Sequence, residues 1–309
     1  MSAPIDLTGV ALTIVVGVGG VVALVIAYRR QRDLEQSRFV ERFGAAAAQL
    51  GATDVAVRIA GVYAMAGIAD ETDGLRRQQC IDVLCGYLRL PYSPALGDSH
   101  RDELVLDDRR VSVDSIPVDD RGHRLEYRHN DREVRVTIIR LIAEHLRISA
   151  EYSWSTSNFD FRSAYLEDVD FNRTVFSGIA RFDGVTFSGT TTFARVTFSG
   201  TTVFDGAMFS GAAWFDGSIF SDTTWFGDVT FSDDVSFRGA TFSGAASFCG
   251  VTFPDPPRFD ATSGSVTFSG AAVFDGATFS STTCHTCLAA DKGRESEASA
   301  PTRLGSGKC

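Results

Sequence analysis

The chain has 309 residues, with 29 basic and 39 acidic side chains and a formal net charge of −10 at neutral pH. This negative balance argues against a general nucleic-acid-binding role, because nucleic-acid-binding surfaces are basic. At 44% hydrophobic and 22% charged residues, the composition excludes a wholly disordered chain. Six cysteines are too few for a disulfide-stabilised scaffold.

The first predicted element is a membrane-spanning helix over residues 7–28. Its sequence, LTGVALTIVVGVGGVVALVIAY, contains no charge and no proline, and about 20 apolar residues suffice to cross a bilayer. Arg29, Arg30 and Arg32 follow it directly, whereas Asp6 is the only charged side chain before it. By the positive-inside rule, the sequence predicts a single-pass protein of the cell membrane, with the N-terminus outside and the C-terminal part cytoplasmic.

One face of this predicted helix carries only small residues. Gly19, Ala23 and Ala27 are spaced four residues apart, and such a ladder allows two membrane helices to approach closely. This face is therefore a candidate contact in a homo-oligomer. Glycine and alanine are also common in membrane helices generally, and that simpler interpretation carries more weight.

Residues 33–92 are predicted to form a cytoplasmic α-helical section. Two apolar stripes have helical spacing: Val55, Ile59, Val62 and Ala66, then Ile81, Leu84, Cys85 and Leu88. Asp54 is the predicted N-cap of the first helix, and Gly74 is the predicted break between the two. Cys80 and Cys85 are expected to be buried thiols, because two cysteines five residues apart in one helix have poor geometry for a disulfide.

A polar segment follows at residues 93–130, where charges alternate with proline and glycine, and it is predicted to be a long linker. In and beside it are side chains of metal-binding type: His123, His129, Asp119, Asp120 and Asp131. They do not follow a recognised ligand spacing, so neither a metal nor a cofactor is predicted. Residues 131–149 are predicted to form a helix that precedes and caps the rest of the chain.

Phenylalanine dominates the C-terminal part, since 22 of the 24 phenylalanines lie between Phe159 and Phe279. Apolar registers step first by five residues and then alternately by six and five: Phe161, Leu166, Phe171, Phe176, Phe182, Phe187, Phe193, Phe198, Phe204, Phe209, Phe215, Phe220, Phe226, Phe231, Phe237, Phe242, Phe248, Phe253, Phe259, Phe268, Phe274 and Phe279. Such regular spacing indicates a repeat architecture.

A small or β-branched residue stands two positions before most registers: Ala164, Val169, Thr174, Val185, Val196, Ala207, Val229, Ala240, Val251, Val266 and Ala277. Side chains two residues apart on an extended leg point to the same side. The Ser-Gly and Asp-Gly pairs after the phenylalanines provide turns. The pattern therefore predicts a four-cornered solenoid of about 5.5 coils, with Tyr152, Trp154 and the preceding helix as its first cap.

AYLED, VDFNR and TVFSG resemble the repeat of the pentapeptide-repeat family, and the alternating spacing in FDGVTFSGTTTFARVTFSG resembles its phenylalanine-rich branch. The helical part, including VRIAGVYAMAGIA and REVRVTIIRLIAEHL, is similar to the region upstream of such repeats in membrane-anchored actinobacterial members. The resemblance implies a right-handed quadrilateral β-helix over residues 157–281 and, for most members, no established activity. The predicted fold is thus mixed: a transmembrane helix, an α-helical section and a β-helix, then a disordered tail at residues 282–309.

Outward side chains on the solenoid wall are the candidate contacts for a protein partner. Residues 22 apart are expected to stack, and exposed tryptophans on a regular wall suit a partner contact, although the indoles could instead be tucked partly inward. The candidates are Asp183, Asp205, Asp216, Trp214 and Trp225. No Ser/His/Asp arrangement, carboxylate pair or metal-ligand set is recognisable, so an enzyme is not expected.

The sequence favours a membrane-anchored cytoplasmic scaffold or protein-interaction module whose partner is unknown. Between residues 159 and 279 there are 14 acidic and 6 basic side chains, and an acidic rod resembles the gyrase-protecting members of the family. That resemblance implies the alternative, a DNA-mimicking inhibitor or protector of a DNA enzyme such as gyrase. A contiguous acidic face would favour the mimic, and an apolar strip around the tryptophans would favour the scaffold.

Overall fold

The structure, a computed structural model, describes residues 7–94, 131–253 and 266–279, with side chains described from residue 23 onward and not for residue 279. Within these ranges an α-helical N-terminal region precedes a parallel β-solenoid of about five coils. Most of the predicted linker, the insertion after Phe253 and the predicted tail lie outside the described residues.

The described residues of the N-terminal region form four α-helices: α1 (Leu7–Leu50), α2 (Val55–Glu71), α3 (Gly74–Leu88) and α4 (Asp131–Leu146). Helix α1 is continuous across the predicted boundary between the membrane helix and the helical section. In the part of the chain that the structure describes, no helix has both the length and the apolar character needed to cross a membrane. Of the predicted segment 7–28, the side chains of residues 7–22 lie outside the described ones.

Polar side chains and a glycine set the ends of α2 and α3. Asp54 caps α2 as predicted, since its Oδ1 accepts a hydrogen bond of 2.7 Å from the Ala56 backbone N–H. At the other end, the Thr72 hydroxyl donates to the Ile68 carbonyl at 2.8 Å. Gly74, the predicted break between the two helices, is the first residue of α3. Its φ of +52° suits glycine, which has no Cβ.

Helices α2, α3 and α4 pack their apolar faces into one core that continues into the solenoid. Its fully buried members from the helices are Val62, Met65, Ala69, Cys80, Ile81, Leu84, Cys85, Leu88, Val134, Ile138, Ile142 and Leu146. Both cysteines are free and buried, as expected. Burial raises the pKa of Cys80 to about 11 and that of Cys85 to about 12, because the thiolate loses its hydration.

Cys80 and Cys85 are accordingly expected to resist alkylation in the native protein at pH 8, since the thiolate is the reactive form. Peptide mapping by mass spectrometry after iodoacetamide treatment should show both unmodified until denaturant is added. Rapid native modification of either peptide would contradict this burial.

In the described part of the solenoid, twenty short strands assemble into four parallel sheets, which we call faces 1 to 4. Face 1 contains β1 (Phe159–Asp160), β4 (Ala180–Arg181), β8 (Thr202–Val203), β12 (Thr224–Trp225), β16 (Ala246–Ser247) and β19 (Ala272–Val273). Face 2 contains β2 (Tyr165–Glu167), β5 (Thr186–Ser188), β9 (Met208–Phe209), β13 (Thr230–Phe231), β17 (Thr252–Phe253) and β20 (Thr278–Phe279).

Face 3 contains β6 (Thr191–Thr192), β10 (Ala213–Trp214) and β14 (Val235–Ser236). Face 4 contains β3 (Val175–Phe176), β7 (Thr197–Phe198), β11 (Ile219–Phe220), β15 (Thr241–Phe242) and β18 (Thr267–Phe268). The chain visits faces 1, 2, 3 and 4 in turn, so faces 1 and 3 lie on opposite sides. The predicted four-sided solenoid is confirmed.

Most successive coils are aligned at a period of 22 residues, as in the pairing of Thr202 with Thr224. The first coil is one residue shorter on face 1, where Phe159 pairs with Ala180. Between the last two coils the offset is 26 residues, from Ala246 to Ala272, because the chain has additional residues between β17 and β18. Phe259, which lies in that stretch, is outside the described residues.

The predicted registers from Phe161 to Phe253 are all buried, with at most 2% of each residue exposed. Each ring stacks on the ring one coil away, as Phe204 does on Phe182 and on Phe226 with centroids 4.8 Å apart in both cases. Rings of adjacent faces also meet edge to face, as in the Phe187–Phe193 pair at 5.8 Å. Both arrangements are favourable for aromatic rings.

Candidate functional site

Trp225 and Trp214 both point away from the phenylalanine core, because the residues before them, Thr224 and Ala213, fill the interior. Trp225 lies on face 1 and is 44% exposed, whereas Trp214 lies on face 3 and is half-buried. Faces 1 and 3 are opposite. The two indoles therefore do not belong to one contact surface.

An apolar row runs along face 1 on both sides of Trp225. Val203 pairs with Trp225 in the preceding coil, as predicted from the 22-residue spacing. In the following coils the row continues through Ser247 to Val273, which is 45% exposed. We call Val203, Trp225, Ser247 and Val273 the face-1 row. Its apolar members, interrupted by Ser247 and preceded by Arg181 on the same face, are the feature that the sequence associates with a scaffold.

Asp183, Asp205 and Asp228 form a column at the corner between faces 1 and 2. Arg181 donates to the Asp183 carboxylate at 3.0 Å, so the charge of Asp183 is compensated. The Asp205 Oδ1 accepts a 2.7 Å hydrogen bond from the Gly227 backbone N–H. Burial holds the pKa of Asp205 above its ordinary value, and repulsion by Asp183 and Asp228 acts in the same direction.

Asp216 lies at the diagonally opposite corner, between faces 3 and 4, and is not part of this column. Its carboxylate accepts hydrogen bonds from the Ser236 hydroxyl and, at 3.0 Å, from the Arg238 backbone N–H of the next coil. These bonds tie two coils together. Of the five predicted contact residues, the structure brings together Trp225, Asp183 and Asp205, while Trp214 and Asp216 share the far side.

Asp205→Asn is expected to stabilise the solenoid slightly at neutral pH. Because the pKa of Asp205 is higher in the folded than in the unfolded chain, its protonation favours folding, and this contribution is present below about pH 4 and lost as the pH rises. Asparagine keeps the acceptor for Gly227 without the charge. We expect a gain of about 0.5 kcal/mol at pH 7, after allowing for solvent screening, and none at pH 3.

Thermal melts at the two pH values measure this difference. Asp275→Asn is the matched control, since Asp275 is exposed at the same corner near the end of the described solenoid. An equal gain from both variants would contradict the role of burial at Asp205.

A buried charged cluster, which the sequence did not predict, joins the helices to the solenoid. Asp131 lies between two arginines, with its Oδ1 3.8 Å from Arg58 Nη2 and its Oδ2 3.7 Å from Arg135 Nη1. The Tyr87 hydroxyl donates to Asp131 at 2.5 Å. All four residues, which we call the junction cluster, are at most 6% exposed. Asp131 is thus an ion-pair residue rather than a solvated loop residue.

Arg135 extends the junction cluster to the first coil, because its Nη2 donates to the Tyr165 carbonyl of β2 at 3.0 Å. Its guanidinium also lies over the ring of Tyr92, 4.5 Å from the centroid. Burial lowers the pKa of Arg135. A signal for this site was present in the sequence, since Asp131 and Arg135 occupy the same stripe of α4 as the buried Val134 and Ile138.

The first coil is capped by side chains of α3 and by Trp154. The Gln78 amide both donates to the Asn158 carbonyl and accepts from its N–H, each at 2.8 Å, as a neighbouring strand would. Trp154 is fully buried, stacks on His145 and donates to Asp70 at 2.8 Å. Tyr152, the other predicted cap residue, is 48% exposed. That part of the cap prediction is wrong, because α3 covers the coil instead.

The predicted helix-dimer face is described only in part: Ala23 and Ala27 are exposed on α1, and Gly19 falls among the residues without described side chains. Within the described ranges, no group of three or more His, Cys, Asp or Glu side chains could hold a metal ion. His123, His129, Asp119 and Asp120 lie outside these ranges.

A family model described as pentapeptide repeats (9 copies) matches residues 171–219 and 215–263. No curated protein and no solved structure matches the chain. The described part of the match, residues 171–253, lies in the four-sided solenoid, and pentapeptide repeats generally serve as interaction or scaffold modules. With its regular coils, stacked phenylalanines and this match, the solenoid is built of pentapeptide repeats.

Proposed function

We propose that the chain is a membrane-anchored cytoplasmic scaffold without catalytic activity, which binds a protein partner through face 1 of its solenoid. The observation that carries this proposal is the face-1 row, where Val203 and Trp225 present apolar side chains from successive coils and Val273 does so two coils further on. Large aromatic side chains surrounded by smaller apolar ones dominate the binding energy of many protein interfaces.

The regular backbone supports a binding role because it holds the row without further ordering. The Phe204 N–H donates to the Trp225 carbonyl at 2.7 Å, and the Phe226 N–H donates to Ser247 at 2.7 Å. A contact surface that is already ordered loses little conformational entropy on binding. The partner is therefore expected to have a complementary apolar surface that runs along the solenoid axis.

The attachment of the solenoid to the helices supports a scaffold. Arg89, at the end of α3, makes a 2.8 Å ion pair with Asp160 on β1, and the junction cluster connects α2, α3 and α4 to the first coil. Hydrogen bonds to Arg162 and the charge of Arg89 lower the pKa of Asp160 to about 2. The rod is therefore held in a defined orientation relative to the helices.

Membrane anchoring is supported by the uncharged apolar stretch of residues 7–28 and the arginines that follow it. The full chain is expected to remain with membranes after carbonate extraction, whereas deletion of residues 7–28 should release it. A solenoid protected from protease in inverted vesicles would contradict the cytoplasmic orientation.

Substitution of Trp225 tests the partner surface. We expect crosslinking and pulldown of the full-length protein from native membranes to capture a partner that Trp225→Ala loses and that Trp214→Ala retains. Trp214 is the matched control because it is the same residue type on the opposite face of the same rod. Equal capture by both variants, or loss in both, would contradict binding by face 1.

A second candidate function, DNA mimicry, has one supporting observation: the column of Asp183, Asp205 and Asp228. Arg181 compensates the first of these charges, and the other described aspartates are spread over all four corners. If the column mimics DNA, the full chain should inhibit gyrase supercoiling and the Asp205→Asn/Asp228→Asn double variant should not. Absence of gyrase inhibition at micromolar concentrations of the chain would contradict DNA mimicry.

A further inference from the structure

Three arginines meet where the end of α4 contacts the solenoid, and none of them has an ion-pair partner. Seven other arginines of the described residues pair with carboxylates: Arg42, Arg58, Arg89, Arg132, Arg135, Arg162 and Arg181. In the same part of the chain, no ion pair or side-chain hydrogen bond involves Arg147, Arg173 or Arg195. Three positive charges of this acidic protein therefore lie together without an ion-pair partner.

The backbone brings these arginines together. Arg147 forms an antiparallel bridge with Thr174, the residue next to Arg173. The Arg173 N–H donates to the Ala194 carbonyl at 3.0 Å, which places Arg195 one coil above Arg173 at the corner between faces 3 and 4. Beside them lies an open groove of about 530 Å³, lined by Arg147, Ile148, Ser149, Asn172 and Arg173. We call it the arginine groove.

Two of these arginines have a backbone conformation that is unfavourable for any residue other than glycine. Arg173 and Arg195 have φ of +58° and +55°, and the same corner of the next two coils has Gly217 and Gly239 at +64° and +62°. A side chain in this left-handed conformation costs free energy that glycine avoids. Stacking two like charges one coil apart adds repulsion. Residues that oppose local preference in this way are expected at functional positions.

We propose that the arginine groove binds a phosphate group, either as free phosphate or on a lipid headgroup. Planar guanidinium groups make paired hydrogen bonds with phosphate oxygens, and a phosphate carries up to two negative charges to compensate them. Asn172 and Ser149 also line the groove, and their side chains are hydrogen-bonding groups. The residues that line the groove thus supply both charge and polar groups.

Calorimetric titration of the full chain in a non-ionic detergent tests the proposal. The probes are inorganic phosphate and detergent micelles that contain either phosphatidylglycerol or phosphatidylcholine. We expect saturable binding of phosphate, of phosphatidylglycerol micelles or of both. Arg173→Gly should weaken it at least about tenfold. Binding of phosphate alone identifies a soluble anion, and binding of phosphatidylglycerol micelles alone identifies a lipid headgroup.

Two features make this test independent of misfolding. Glycine at residue 173 relieves the positive φ, so the melting temperature of Arg173→Gly should equal or exceed that of the wild type. Arg147→Gln, directly after α4 rather than in the solenoid, should weaken binding as well. Arg162→Gln is the matched control, because it removes one positive charge from the opposite corner of the same coil. Absence of saturable binding, or wild-type affinity in both Arg173→Gly and Arg147→Gln, would overturn the proposal.

Discussion

Asp131→Asn is expected to destabilise the full chain by about 3–5 kcal/mol, because it leaves two buried arginines without their shared counter-ion. Arg58 and Arg135 are 2% and 3% exposed, so solvent cannot replace the lost carboxylate. Asparagine still accepts the hydrogen bond from the Tyr87 hydroxyl, and the loss should therefore come from the charge. Chemical unfolding of the detergent-solubilised chain, followed by far-UV circular dichroism, measures it.

Glu133→Gln provides the matched control, since Glu133 is exposed in the same first turn of α4. Removing its charge should change stability by less than about 0.5 kcal/mol. If Asp131→Asn and Glu133→Gln had the same small effect, the junction cluster would not hold the helices to the solenoid. A second variant, Arg58→Met with Asp131→Leu, should recover part of the loss, because apolar side chains can replace a buried ion pair.

Phe204→Ala is expected to cost about 3–5 kcal/mol, the range for deleting a fully buried phenylalanine ring. The ring of Phe204 contacts Phe182 and Phe226 at 4.8 Å on its two faces and Phe193 and Phe215 at its edges. Alanine would leave a cavity that the hydrogen-bonded coils cannot close. Because each coil contacts only its neighbours, the loss should also reduce the cooperativity of unfolding.

Phe274→Ala offers a comparison within the same column of stacked rings. Phe274 is only partly buried and stacks on Phe248 at 4.8 Å, at the last described coil. Its substitution should cost less than half as much as that of Phe204. Denaturant midpoints of the two variants measure the difference, and equal losses would contradict a core whose strength depends on neighbours on both sides.

Part of the candidate site was already encoded in the repeat spacing. Trp214 and Trp225 are 11 residues apart, which is half of the 22-residue coil, so their separation onto opposite faces follows from the period. The same offset separates Asp205 from Asp216. The five candidate residues therefore do not form one contact surface, and the structure divides them accordingly.

The sequence by itself determined the solenoid, because its cause is local. Each leg is specified by one phenylalanine every five or six residues with a small residue two positions earlier. Four legs make one coil, and the same contacts recur between each coil and the next. Helix ends were predictable for the same reason where a side chain caps its own turn, as Asp54 does. Gly74 lies where the sequence predicted the break between the two helices, and it is the first residue of α3.

Only the tertiary structure decided the junction cluster and the arginine groove, because both depend on segments distant along the chain. In the sequence, Asp131 has the pattern of a polar residue at the start of a helix. It is buried by Arg58 and Tyr87, which lie 73 and 44 residues earlier in the chain. Arg147 likewise meets Arg173 only because α4 ends against the first coil. A charged side chain is exposed by default, and its burial is determined by partners that no local pattern reveals.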